Sequence, residues 1–254
     1  MLGLIGMLSL APLAQTQGLP MAVHTTTTAI GGFDQSVDIY RPLHTMSRGV
    51  AVVAHGWTRS RSRHSDLGRA LADAGVTVVI PDLPNVMNLW GNGDAIVELA
   101  QQLEAGAFGL PPLERSQLVL IGTSAGGLAT VLASARLAGL AGWVGLDPVD
   151  RTGTGRDAAA ELSAPAIVLL AQSSHCNLFG SGRSLARALP QLHRMQVIEG
   201  ASHCDFESPS NNLCRAICGG GSDQLTHRIR QQTVEATLEL LAASARRTHD
   251  AEAP

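Results

Sequence analysis

The chain has 254 residues, 45% hydrophobic and 15% charged, with a net charge of −3. That length can bury a large α/β core, and the near-neutral balance excludes the basic footprint expected of a nucleic-acid binder. Aromatics make up only 3% of the chain, so the expected core is Leu, Val, Ala and Ile.

Residues 1–20 read as an apolar leader or signal-like segment, and residues 21–254 as a single α/β domain. Met1 to Ala14 is apolar but too short to cross a bilayer, so no stable membrane insertion is expected. Ser9-Leu10-Ala11 offers a small-x-small cleavage pattern, although the first arginine is Arg41 and a positively charged start is missing. Export to a secreted or periplasmic location is the expectation, with a cytoplasmic location as the alternative.

Residues 22–29 and 34–41 alternate and are β-branched, which predicts an antiparallel pair turning at Gly31-Gly32. Gly49 to Ala54 is a continuous apolar run, as in a strand covered on both faces. Arg59-Ser60-Arg61-Ser62-Arg63 reads as a solvated loop. Ser65 to Gly75 predicts a helix, Val76 to Ile80 a buried strand, and Asp94 to Glu104 a second helix. Residues 117–121 form the next strand, and a helix begins near Ala125. Trp143 to Leu146 and Ala166 to Ala171 continue the alternation. Ser184 to Leu189 is a short helix, Met195 to Glu199 the last strand, and 223–247 a closing helix. Repeated β-α units with buried strands predict a doubly wound, mainly parallel sheet.

Gly122-Thr123-Ser124-Ala125-Gly126-Gly127 follows the apolar run Leu118 to Ile121. A strand feeding G-x-S-x-G and then a helix is the nucleophile-elbow pattern, in which a strained turn lifts the serine above the sheet. A serine hydroxyl needs a base to take its proton and a carboxylate to hold that base's tautomer. His203, after the last strand, is the expected base, with His175 as its rival; His55 reads as structural. The segment after Ala171, Gln172-Ser173-Ser174, has no carboxylate. Asp147 therefore reads as the acid, with Asp150 the second candidate. The order Ser, Asp, His is that of α/β-hydrolases. The expected oxyanion donors are the backbone N–H groups of Ala125 and of Trp57, with Gly56 letting the chain pass close to substrate.

His55-Gly56, the Gly122 to Gly127 turn and Gly145-Leu146-Asp147-Pro148-Val149-Asp150 together resemble the α/β-hydrolase branch that contains chlorophyllases. Platelet-activating-factor acetylhydrolases and cutinase-like polyester hydrolases are similar in outline. The resemblance spans roughly residues 22 to 245. It implies a serine esterase with Asp147 as triad acid, acting on a small-molecule or polymeric ester. No cofactor or metal is implied. Acyl transfer by the same triad, or a non-catalytic binding role on this scaffold, are the other readings.

The segment between Asp147 and Ala166 is too short for a helical cap, so the cleft should be open. Trp57, the Met87-Asn88-Leu89-Trp90 loop and residues after Asp147 should wall it, which suits a hydrophobic moiety. The four cysteines, Cys176, Cys204, Cys214 and Cys218, allow three disulfide pairings. Cys176 with Cys204, each following a neighbouring strand, and Cys214 with Cys218 is the expected set. A zinc site beside His203 lacks the paired CxxC spacing.

Overall fold

The computed structural model describes residues 21–43 and 46–252, so the leader expected over residues 1–20 lies outside the described residues. Eight strands form one sheet: β1 (Met21–Ile30), β2 (Phe33–Pro42), β3 (Val50–Ala54), β4 (Thr77–Pro81), β5 (Leu118–Thr123), β6 (Gly142–Leu146), β7 (Ala166–Leu170) and β8 (Leu192–Val197). Their spatial order is β1-β2-β4-β3-β5-β6-β7-β8. The β1–β2 and β2–β4 pairs are antiparallel, and every other pair is parallel.

Among the described residues seven α-helices complete the alternation: α1 (Ser65–Asp73), α2 (Leu89–Glu104), α3 (Ala125–Arg136), α4 (Thr154–Ala160), α5 (Gly182–Ala188), α6 (Asn212–Cys218) and α7 (Asp223–Glu252). Strands β3 to β7 are buried along their whole length, which is why they read as unbroken apolar runs. Their side chains divide by parity between the two faces. Val52, Leu118, Leu120 and Val168 pack with Ile96 and Leu99 of α2 and Val131 of α3. Ala51, Val119, Ile121 and Val144 pack with Leu67 and Leu71 of α1 and Ile229 and Leu240 of α7. Only the seven-residue α4 and short turns lie between β6 and β7, so among the described residues no helical cap is inserted there.

Three features differ from expectation. Helix α2 starts at Leu89, five residues before the expected Asp94, because the Asn88 side chain accepts from Gly91 N at 3.1 Å and caps it. Leu89 and Trp90 therefore sit in a helical first turn and not in a loop. Strand β8 runs over Leu192–Val197 instead of Met195 to Glu199. It is an edge strand with alternating exposure, and its half-buried Arg194 pairs with Glu239 of α7, so polar residues disguise its start. The Arg59–Arg63 stretch is not merely solvated. Arg59 pairs with Glu207, and Arg61 pairs with Asp38 and Asp82, which ties the segment after β3 to the sheet and to the far end of the chain.

Strand order reverses around β3. The chain leaves β3 for β4 on one side, then crosses to β5 on the other. Such a switch point opens a crevice between the carboxyl ends of the two strands. Ala54 of β3 is in register with Gly122 of β5, so the segments that follow them, His55-Gly56-Trp57 and Ser124-Ala125, emerge side by side at that crevice.

Candidate active site

Ser124 occupies the turn between β5 and α3 with φ 57° and ψ −122°, a conformation forbidden to most L-residues and worth about 1–3 kcal/mol of strain. Neighbouring structure holds it there. Its N–H donates to Leu146 O at 3.1 Å, and its carbonyl accepts from Gly127 N at 3.0 Å and Val149 N at 3.1 Å. A side chain at position 126 would put a Cβ 2.3 Å from Ala54 O, so only glycine lets α3 start this close to β3. At Gly56 an added Cβ would come within 3.2 Å of Ser124 Cβ and crowd the hydroxyl.

The structure brings Ser124, His203 and Asp147 into one hydrogen-bonded chain. Ser124 Oγ lies 2.9 Å from His203 Nε2, and His203 Nδ1 lies 2.6 Å from Asp147 Oδ2. With Nδ1–H donating to the carboxylate, Nε2 is left to accept the serine proton. His203 opens a 3-10 turn, His203–Phe206, fixed by a reciprocal cap in which Asp205 Oδ2 accepts from Ser202 N at 2.8 Å. Asp147 follows β6 with φ 43°, and its side chain is only 2% exposed. A buried carboxylate must have its lone pairs filled. Besides His203, Oδ1 accepts from Ala171 N at 3.0 Å, and the Asn177 amide spans both oxygens at 3.3 and 3.2 Å.

Asn177 is a residue that sequence reasoning missed. It is fully buried in a 3-10 turn, His175–Asn177, and is itself locked: its Nδ2 donates to Gln172 O, and its Oδ1 accepts from Ser174 N and Gly180 N, each at 2.9 Å. The available signal was Ser174-x-x-Asn177, a cap pattern after β7 in a segment that lacks a carboxylate.

The rival residues stand elsewhere. Asp150 accepts from Gly153 N at 3.0 Å and Arg156 N at 2.9 Å, so it caps α4. His175 is exposed and takes no part in the chain from Ser124. His55 donates from Nδ1 to Gly56 O at 2.8 Å and accepts from Leu83 N at 2.9 Å through Nε2. Burial lowers its pKa and keeps it neutral, which suits a structural brace under the turn after β3.

The backbone N–H groups of Trp57 and Ala125 donate to no protein acceptor among the described residues. Both residues border the same open cleft as Ser124, of about 480 Å³, walled by Met87, Leu89, Trp90, Val149 and Leu178. Trp57 and Trp90 are each 57% exposed, and the Trp57 indole is pinned by donating to Val86 O at 2.8 Å.

The cysteines pair as Cys176–Cys218 and Cys204–Cys214, which corrects the expected pairing. Cys214 and Cys218 lie one turn apart on α6, a helix the sequence reading did not foresee. Side chains at i and i+4 run parallel along one helix face and cannot meet each other in disulfide geometry. Each reaches outward instead, one to the residue after His203 and the other to the residue before Asn177. Helix α6 thus clasps the two turns that orient the histidine and the carboxylate. The sulfur atoms near His175 are close enough to suggest a metal site, but the bridges consume them and leave no thiolate as donor.

This arrangement of sheet, switch point and strained serine turn is the α/β-hydrolase fold. The structure superimposes on a dienelactone hydrolase from Anabaena variabilis with a TM-score of 0.67, covering 85% of this chain and 96% of that one at 16% sequence identity. In all, 1190 solved chains match the structure, so the fold by itself selects no activity. No family model and no curated protein matches the sequence.

Proposed function

We propose that the chain is a serine carboxylic-ester hydrolase working through an acyl-enzyme. The observation that carries this reading is the Ser124–His203–Asp147 hydrogen-bonded chain beside two unengaged backbone N–H groups. Ser124 Oγ attacks the ester carbonyl carbon as its proton passes to His203 Nε2. The developing oxyanion sits against the N–H groups of Trp57 and Ala125 at the positive end of α3. Collapse expels the alcohol, which takes the proton from His203. Water then attacks the acyl-serine with the same base, releasing the acid and restoring Ser124. The apolar walls favour an ester with a hydrophobic moiety, and the open cleft admits small or polymeric esters. That openness supports water over an alcohol as the second acceptor. The two disulfides support export to an oxidising compartment.

A fluorophosphonate probe tests the reading. It is expected to inactivate p-nitrophenyl ester hydrolysis with time and to leave its adduct on the peptide containing Ser124. Labelling elsewhere, or activity that survives complete labelling, overturns it.

Asn177 supplies a second test. Alanine there removes the amide that spans both Asp147 oxygens, leaving a buried carboxylate short of a donor at a cost of about 1–3 kcal/mol. The less stabilised anion holds more tightly to a protonated His203. The acidic limb of the kcat/KM profile is therefore expected to move to higher pH, with kcat falling more than KM changes. A limb that stays in place would assign Asn177 to packing alone.

A further inference from the structure

We propose that the cleft selects esters that carry one carboxylate beyond their apolar body, with Arg151 as the residue that reads it. This rests on the esterase reading and names the substrate class of the same site. The cleft is walled by apolar side chains, and among the residues that line it Arg151 is the one cation and no carboxylate is present. Arg151 follows Asp147 by four positions, two residues after Val149, whose N–H holds the Ser124 carbonyl. It lines the same cleft as the nucleophile.

The acids nearest in sequence are already engaged. Asp150 spends both oxygens on the backbone N–H groups of Gly153 and Arg156, and Asp157 pairs with Arg156. Among the described residues Arg151 takes part in no ion pair, and it is exposed to the cleft. Elsewhere Arg59, Arg61 and Arg156 have carboxylate partners. The positive end of the twelve-residue α3 and the free N–H groups of Trp57 and Ala125 face the same space. An apolar slot with a single unpartnered guanidinium suits a ligand that is apolar along its length and anionic at one end, since the planar guanidinium binds carboxylate in two-pronged fashion.

Two arms locate the anion. On the acyl side, p-nitrophenyl hydrogen adipate is compared with p-nitrophenyl methyl adipate. On the alcohol side, the butyrate ester of 4-hydroxybenzoate is compared with that of methyl 4-hydroxybenzoate. The wild type is expected to favour the anionic member about five- to tenfold in kcat/KM in one arm, mainly through KM, and to lose that preference at high salt. Arg151→Gln is expected to bring the ratio close to one, and Arg151→Lys to retain part of it. A ratio insensitive to Arg151→Gln in both arms overturns the proposal while the esterase reading stands, because the neutral esters still turn over. Failure of every ester, together with an unlabelled Ser124, overturns both.

Discussion

Asp147→Asn is expected to lower kcat about 10⁴-fold with little change in KM or in melting temperature. The surroundings of the carboxylate dictate this. Ala171 N–H and the Asn177 amide are fixed donors aimed at Asp147, so the carbonyl oxygen of an asparagine must turn toward them. Its NH₂ group is then left facing His203 Nδ1, at the position now held by Oδ2. Two donors cannot share one hydrogen bond. The imidazole proton therefore moves to Nε2, and the ring can no longer accept the Ser124 proton. Asp150→Asn is the matched control. It weakens the cap of α4 and should cost about 1 kcal/mol in stability while kcat stays near wild type. Steady-state kinetics and thermal melts on the two variants decide the matter. A dead Asp150→Asn beside an active Asp147→Asn would move the acid to the other carboxylate.

The buried centre of the fold was legible because burial on both faces writes itself as unbroken apolar runs. Strands β3 to β7 were all located that way, and the turn at Ser124 was marked by the small residues its close packing demands. The three residues singled out for chemistry are those the structure brings within hydrogen-bond reach. Less was readable where stability comes from polar contacts distant in sequence. The start of β8 is hidden because Arg194 answers to Glu239 on another element. Helix α6 has no buried stripe of its own and depends on its cap and its two bridges. The cysteine pairing followed from that helix, since its face decides which loops the thiols can reach. Asn177 carried no chemical signature, because an amide matters here only through the carboxylate it touches.

Acid sensitivity is expected to trace in large part to one buried histidine, and His64→Leu should remove that part. His64 is completely buried at the start of α1, and neither ring nitrogen has a hydrogen-bond partner among the described residues. Burial lowers its pKa to about 3, with the charge of Arg59 acting in the same direction. In the unfolded chain the ring returns to about 6.5, so below that pH the unfolded state binds a proton that the fold refuses. The stabilisation is complete above pH 6.5 and is lost progressively as pH falls toward 3. At pH 4.5 the unfolded ring lies about two units below its pKa, which corresponds to roughly 3 kcal/mol. Leucine fills a similar volume and does not titrate. Urea midpoints at pH 7.5 and 4.5 should then fall much further for the wild type than for His64→Leu, with the carboxylates contributing equally to both. Equal falls would mean that His64 does not set the acid limit.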